Sequence, residues 1–266
     1  NKENPRFKLK PVKDDDRAYR KLFGPEDEFV NSSNVTSNYR FFREKLRSTR
    51  LNADQIWTAI CRLEVMHLDL EEYDEPQRIF ESLNSTGLEL KESDKIRNYV
   101  LMGLDTTKQE ELYNERWNPI EANCRFQTDS FIRWYLTTYT TKTPREQDVY
   151  EAFKGFASKR KAKMPELLDD LFAYSKYFRE IREADTGYPE VDTQLKRMNE
   201  FMGAVVLPFL MPLLRDVHEH KTTPEDFLEV LLTIESYIVR RFVTGIATNS
   251  LNKIFATMYS EVRKLH

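Results

Sequence analysis

The chain has 266 residues, of which 40% are hydrophobic and 32% charged, with 17 Phe, 13 Tyr and 3 Trp. This supply of large apolar side chains suffices for one sizeable core or two smaller ones, and it excludes a disordered chain. With 41 basic and 44 acidic residues the formal net charge is −3, so no overall positive field draws the protein onto DNA and any DNA contact must be a local patch.

Two further features of the composition bear on the cellular setting. Cys61 and Cys124 are far apart and form no CxxC pair, which fits neither a disulfide framework nor a zinc finger and favours a reducing, cytoplasmic setting. No apolar run approaches the roughly 20 residues of a membrane helix, and the run 205–214 is interrupted by Pro208 and Pro212. We therefore expect a soluble protein with no membrane partner.

The first hundred residues mix two periodicities. Segments 7–9 and 63–70 alternate apolar with polar residues and predict two strands. Between them, 39–46 and 55–63 repeat apolar residues at the helical period. We expect a small sheet element with a helical insertion here. The opening NKENPRFKLKP lacks both Met and an apolar signal core, and we expect the sequence to be a piece of a longer protein.

Beyond residue 90 the pattern is helical. The chain has only 7 glycines, and one apolar stripe begins after Pro165 and closes near Gly187, where a glycine can adopt positive φ. The clearest stripe runs through 227–238, and Pro224 with the acidic residues after it marks the start of that helix. Similar stripes predict helices in 96–104, 131–139 and 149–156. The sequence therefore predicts a mainly α fold, a multi-helix bundle with a small β remnant near the N-terminus.

The most distinctive segment is 77–101, QRIFESLNSTGLELKESDKIRNYVL. A short helix would end in the turn 84–87, with Gly87 free to be left-handed, and a second helix would follow. In that helix Asp94, Arg97 and Asn98 are three or four residues apart and share one face, opposite the apolar residues Ile96, Val100 and Leu104. These polar groups either satisfy helix ends and one another, or help the turn to hold an anion.

The part FESLNSTGLELKESDKIRNYVLM resembles the FExLNxTGxxLxxxDxIRNYxL signature of the GmrSD-type restriction proteins, in their ParB-like and sulfiredoxin-like N-terminal region. The resemblance implies that Glu81, Asn84, Thr86 and Gly87 line a nucleotide pocket, with the polar face just described supporting them. Lys91 departs from the family, which usually carries a Ser that caps the following helix.

The resemblance also implies a two-part machine. An Asp-Gly-Gln-Gln-Arg loop would bind and hydrolyse a nucleoside triphosphate, and an HNH-type nuclease that needs a divalent metal would cut modified or foreign DNA. Neither motif is in this sequence. We therefore expect residues 1–104 to be the C-terminal part of the ParB-like domain and 105–266 a helical connector, with no catalytic residue, metal site or cofactor of its own. The expected partners are nucleotide and DNA, with a possible homo-oligomer; the alternative is a non-enzymatic helical interaction or dimerisation module.

Other constellations have plain explanations. The basic residues Lys154, Lys159, Arg160, Lys161 and Lys163 are either a solvated loop between two helices or a weak DNA contact through phosphates. His218 and His220, two apart, point in divergent directions on a helix and predict a solvated helix end rather than a metal site. No nucleophile motif, P-loop or HExxH sequence is present, so the sequence itself gives no support for hydrolase or kinase activity.

Overall fold

The computed structural model describes residues 11, 13–64, 79, 90–125, 127–160, 163–247 and 250–265. The chain divides into two compact units, Asn1–Asp69 and Leu70–His266. The predicted mainly helical fold is confirmed, and no strand occurs among the described residues. The predicted strands at 7–9 and 65–70 lie outside them, whereas Leu63 and Glu64 are described and are not in a strand. The predicted boundary at residue 104 stays a prediction.

Among its described residues the first unit contains three α-helices, and the starts of two of them follow from capping residues. Ser33 precedes the second helix, and its Oγ accepts the Val35 amide at 3.1 Å. Asn52 opens the third helix with a capping box, in which its side chain and that of Gln55 each accept the other's backbone N–H. The predicted helix at 39–46 is confirmed, and that at 55–63 ends at residue 61. The helices are α1 (Lys13–Lys21), α2 (Asn34–Ser48) and α3 (Ala53–Cys61).

The second unit is a bundle of helices with one π-helical turn, Tyr113–Trp117. All the helices predicted by apolar stripes between 96 and 238 are present, with ends shifted by a few residues. They are α4 (Glu92–Leu101), α5 (Thr106–Leu112), α6 (Asn118–Asn123), α7 (Thr128–Thr140), α8 (Val149–Arg160), α9 (Met164–Glu183), α10 (Pro189–Asn199), α11 (Leu207–His218), α12 (Pro224–Val243) and α13 (Leu251–Leu265). In the described part of the chain, no helix is both long and apolar enough to cross a bilayer.

Helices α9 and α11 form the centre of this unit. α9 packs against α6, α7, α10 and α11, and α11 packs against α7, α9, α12 and α13. α11 is buried nearly all round, which is the pattern of a core helix rather than of a surface helix. Its apolar run therefore forms the middle of the core, and the other helices cover it.

Pro212 lies inside α11, where the sequence suggested an interruption. A proline has no N–H for the carbonyl four residues earlier, which here is that of Pro208. The Thr138 hydroxyl of α7 lies 3.3 Å from that carbonyl and 3.1 Å from the Trp134 carbonyl of its own helix, so its single proton is shared between the two. The freed carbonyl of Pro208 therefore has a polar contact from a neighbouring helix.

The ends of α9 and α12 show how the sequence sets helix length. α12 begins with a capping box between Thr223 and Asp226, whose hydrogen bonds hold the pKa of Asp226 below its ordinary value. α9 ends at residue 183, earlier than Gly187, because Ala184 takes the left-handed conformation at φ 53°. Asp185 N–H then donates to the Glu180 carbonyl at 3.0 Å, which closes the last turn of α9.

Candidate functional site

Helix α4 carries the polar face that the sequence predicts. The Arg97 guanidinium lies 3.0 Å from a carboxylate oxygen of Asp94 and 3.5 Å from one of Glu121 on α6. All three side chains are partly buried, at 29%, 28% and 16% exposure. Because Arg97 meets two carboxylates, its charge is already balanced within the protein. The arrangement favours the interpretation in which these groups satisfy one another, and it assigns Arg97 a positioning role.

Glu121 extends this cluster to the π-helical turn. Its Oε1 also accepts the indole N–H of Trp117 at 2.8 Å, and Trp117 is fully buried. A π-turn widens a helix locally and often occurs at functional positions. Here it lets one carboxylate bind both the indole and the arginine of α4, so the polar face of α4 is tied to the core of the second unit.

The N-terminus of α4 is held by a neighbouring helix. Lys91 occupies the cap position and makes no side-chain capping bond. Instead the Ser93 amide donates to Asp129 Oδ1 of α7 at 2.6 Å. The carboxylate of Asp129 thus supplies the cap that Lys91 does not provide, and negative charge there also suits the helix dipole.

Glu92, in the first turn of α4, caps the start of another helix, α8. Its Oε2 accepts the Tyr150 amide in the first turn of α8 at 2.7 Å, and its Oε1 accepts from Lys95 Nζ at 2.7 Å. We call Glu92, Ser93, Asp129 and the Tyr150 amide the N-terminal junction, because they join the starts of α4, α7 and α8. Each of two helix starts is capped by a carboxylate from another helix.

The apolar side of α4 fixes its rotation. Ile96 and Val100 are 0% and 1% exposed. The Tyr99 ring meets Tyr150 and Phe153 of α8 edge-on, with centroids 6.3 and 6.2 Å apart. The predicted polar residue Asn98 is half-buried, and its carbonyl accepts the Met102 amide at 2.8 Å to end the helix.

The four residues predicted to line a nucleotide pocket, Glu81, Asn84, Thr86 and Gly87, lie outside the described residues. Their role stays a prediction. The structure describes the helix that follows them, α4, from Glu92 onward. Its contacts with α6, α7 and α8 fix its position.

The predicted basic patch is not one solvated loop, because α8 continues through Arg160. Lys154, Lys159 and Arg160 lie in that helix, Lys163 precedes α9, and Lys161 lies outside the described residues. Lys159 and Lys163 are exposed and Lys154 is half-buried. Exposed lysines of this kind can contact phosphates, and their role toward DNA stays a prediction.

Arg160 is an exposed residue whose guanidinium nevertheless contacts α7 and α9, which the sequence did not reveal. Its guanidinium donates to Asp170 Oδ2 at 2.7 Å and to the Tyr135 hydroxyl at 3.1 Å, and it lies 4.8 Å from the centroid of the Tyr139 ring. Both tyrosine hydroxyls also donate to Asp170 Oδ2, at 2.6 and 2.8 Å. Burial raises the pKa of Tyr139 to about 12 and raises that of Tyr135 as well.

A second buried polar group lies beyond the first. Arg215 of α11 donates to the hydroxyls of Tyr174 and Tyr259 at 2.8 and 3.0 Å, and Tyr259 donates to Asp216 Oδ2 at 2.8 Å. The rings of Tyr139 and Tyr174 are in contact, 5.6 Å apart, and join the two groups. The spacing of two tyrosines four apart on α7 was visible in the sequence, but their partners are distant in sequence.

Residues 1–101 match the model of the family described as GmrSD restriction endonuclease, N-terminal domain. Over these residues, called the GmrSD-type region below, the chain is similar to that domain. The resemblance inferred from 77–101 is therefore confirmed for this part of the chain.

The GmrSD-type region ends with α4, the helix joined to α7 and α8 at the N-terminal junction. The match covers 101 of 266 residues, so it does not describe the rest of the bundle. No curated protein and no solved structure matches the chain.

Outside the GmrSD-type region, two histidines lie close together at the end of α11. His218 ends α11, with Nε2 2.8 Å from a Glu180 oxygen and its ring stacked on Tyr177 at 5.5 Å. His220 follows in a left-handed turn at φ 56°. Within the described ranges, no three His, Cys, Asp or Glu residues are grouped so that they could hold a metal ion.

Proposed function

We propose that this chain is part of a nucleotide-dependent DNA restriction protein, a modification-dependent endonuclease. The observation that carries the proposal is the match of residues 1–101 to the GmrSD N-terminal domain, which contains the FESLNSTGLELKESDKIRNYVL segment. In this proposal the strands predicted at 7–9 and within 65–70 belong to a ParB-like domain, and the protein works in the cytoplasm against invading DNA. The free thiols of Cys61 and Cys124 fit a reducing compartment.

The turn 84–87 would form one wall of the nucleotide pocket. Glu81, Asn84, Thr86 and Gly87 would face the ligand, while the triphosphate and its divalent metal would be held mainly by an Asp-Gly-Gln-Gln-Arg loop that this sequence lacks. Because Arg97 is paired with two carboxylates, it would orient α4 and would not bind phosphate directly. The sequence by itself would have no catalytic activity.

The bundle after residue 104 would act as the connector between nucleotide and nuclease parts. The N-terminal junction supports this role, because a shift of α4 would displace the starts of α7 and α8 through their shared hydrogen bonds. Coupling additionally requires that nucleotide bind two arrangements of the connector with different affinities.

A nucleotide titration of the protein as its gene encodes it tests the pocket. A hydrogen bond to a charged phosphate contributes about 1.5–3 kcal/mol, so Asn84→Ala should weaken binding by tenfold or more. Asn114→Ala changes an exposed residue of the π-helical turn and should leave the affinity unchanged. Equal affinities for wild type and Asn84→Ala would remove Asn84 from the pocket.

A second candidate function is a helical interaction module that forms a homodimer. The observation favouring it is the apolar end of α12, where Phe242, Val243 and Ile246 are 83%, 76% and 52% exposed. If this end is a dimer interface, sedimentation should show a dimer that Phe242→Asp converts to monomer. A chain that is monomeric at high concentration would exclude this function.

A further inference from the structure

A cleft in the second unit lies between the turn after α6 and the last turns of α9. Its volume is about 130 Å³. A cavity of roughly 150 Å³ accommodates a molecule the size of benzene, so this cleft has room for one phosphate-sized group and not for a whole nucleotide. The cleft is lined by Asn123, Cys124, Arg125, Gln127, Phe178, Arg179, Arg182 and Glu183.

The charge of the lining is unbalanced. Three arginines meet one glutamate, which leaves a formal charge of two positive. Arg125, held in a left-handed turn at φ 46°, pairs with Glu183 at 2.7 Å. Arg179 and Arg182 have no carboxylate partner within the part of the chain that the structure describes. This differs from Arg97 and Arg160, whose charges are met by carboxylates.

One of these arginines, Arg179, has a buried donor without a partner in the described part of the chain. Its Nε is buried, and it has no acceptor among the described residues. A buried donor without a partner costs about 1–3 kcal/mol, and a ligand or an ordered water that accepts from it would offset this cost. The orphan donor belongs to a residue that lines the cleft.

The backbone around the cleft does not cancel this positive charge. The last carbonyls of α9 would oppose an anion, but Asn199 Nδ2 donates to those of Ile181 and Arg182 at 2.8 and 3.2 Å. Gln127 precedes the N-terminus of α7, the end of a helix that attracts anions. The Cys124 thiol adds no negative charge, because burial raises its pKa.

We propose that this cleft binds a phosphate dianion, either inorganic phosphate or the terminal phosphate of a small phosphomonoester. A monoester carries close to two negative charges at neutral pH, which matches the two unbalanced positive charges, whereas a DNA backbone phosphate carries one. Arg179 and Arg182 hold the phosphate oxygens, and Arg125 joins them to the extent that Glu183 releases it. None of the residues that line this cleft belongs to the proposed nucleotide pocket, and the present proposal does not depend on that pocket.

Calorimetric titration of the 266-residue chain with inorganic phosphate, at constant ionic strength, tests the site. Arg179→Gln and Arg182→Gln should each weaken binding about tenfold, as expected for loss of one charge-assisted hydrogen bond. Arg263→Gln, which changes an exposed arginine of α13, is the matched control and should bind as wild type. Glu183→Gln should bind several-fold more tightly, a gain that misfolding could not produce.

Three further titrants distinguish a phosphomonoester from a nucleoside and from backbone phosphates of DNA as the group that binds. AMP should compete with phosphate, adenosine should not bind, and a short duplex without terminal phosphates should not displace phosphate. The proposal is overturned if wild type and Arg179→Gln bind phosphate equally, if no binding occurs, or if only the duplex responds to the arginine substitutions. Circular dichroism of each variant confirms that a lost signal is not a lost fold.

Discussion

At the scale of single residues, Asp170 receives three hydrogen bonds on one carboxylate oxygen, from Tyr135, Tyr139 and Arg160. These donors come from α7 and α8, so one acidic side chain of α9 joins three helices. Buried polar groups of this kind are favourable only while every member has a partner. Its neighbour Asp169 points outward, with 57% of its side chain exposed.

Replacing Asp170 by Ala should therefore be costly. It would leave two tyrosine hydroxyls and one partly buried guanidinium without their acceptor, and we expect a loss of about 2–3 kcal/mol in the free energy of unfolding. Asp169→Ala removes only an exposed ion pair with Arg116 and should cost under about 1 kcal/mol. Urea denaturation followed by circular dichroism measures both, and equal losses would contradict the role of Asp170.

The same cluster predicts a response to alkaline pH. Burial, together with the Asp170 charge, raises the pKa of Tyr139 from 10.0 to about 12. Because the folded chain holds this proton more tightly than the unfolded chain, the stabilisation is complete below pH 10 and is lost as pH rises towards 12. Thermal unfolding across this window should show a shallower decline for Tyr139→Phe than for wild type. Tyr237→Phe changes an exposed tyrosine and should leave the slope unaltered.

At the scale of helices, local signals predicted α12 well because its start is encoded in adjacent residues, with Thr223 and Asp226 forming the cap. They failed for α11, because Pro212 ordinarily breaks a helix, and the hydroxyl that lies 3.3 Å from the freed Pro208 carbonyl belongs to Thr138, 74 positions earlier. The start of α4 was a similar case, because its cap, Asp129, comes from another helix. Patterns among neighbouring residues of the sequence cannot reveal hydrogen-bond partners that come from a distant helix.

The N-terminal junction makes a prediction at this scale. Glu92→Ala removes the acceptor of the Tyr150 amide and should destabilise the chain by about 1 kcal/mol, the usual cost of losing a helix cap. Hydrogen exchange at the start of α8 should also become faster. Glu151→Ala changes an exposed acid in the same helical turn, with 71% of its side chain accessible, and should change stability by less than about 0.5 kcal/mol. Unchanged exchange at Tyr150 in Glu92→Ala would show that the cap is unimportant.

At the scale of the whole molecule, the two units differ in how much they bury. The described buried residues of the first unit are Ala18, Phe29 and Thr36, and α3 contains none. The second unit has an extended apolar core around α9 and α11. Local stability follows burial, so the units should respond differently to solvent.

Hydrogen exchange measured by mass spectrometry should show this difference. Amides of α3 (Ala53–Cys61) should exchange well before those of α9 and α11, because opening α3 exposes little additional apolar surface. Slow exchange in α3, comparable to that of α11, would contradict the prediction and would indicate that this helix is protected by contacts beyond its own side chains.

The sequence predicted more of the fold than of the candidate site. The helical class and most helices followed from apolar periodicity, which is local, and the ion pair of Asp94 with Arg97 followed from their spacing of three. The ion pair of Arg160 with Asp170 did not, because a basic run looks the same whether its members face water or a partly buried carboxylate 10 residues later. The phosphate cleft was invisible as well, since its arginines come from two separate segments.

Because hydrogen bonds to α7 and α8 hold the first turn of α4 in place, the number of residues between that turn and the apolar face of the helix is fixed. One residue turns an α-helix by about 100°, so an extra residue inserted after Ser93 would leave the two amide contacts in place and swing Ile96 and Val100 away from the interior. A deletion would do the same in the opposite sense. The stretch 92–100 therefore tolerates changes of side chain on its outer surface but no change in the number of residues.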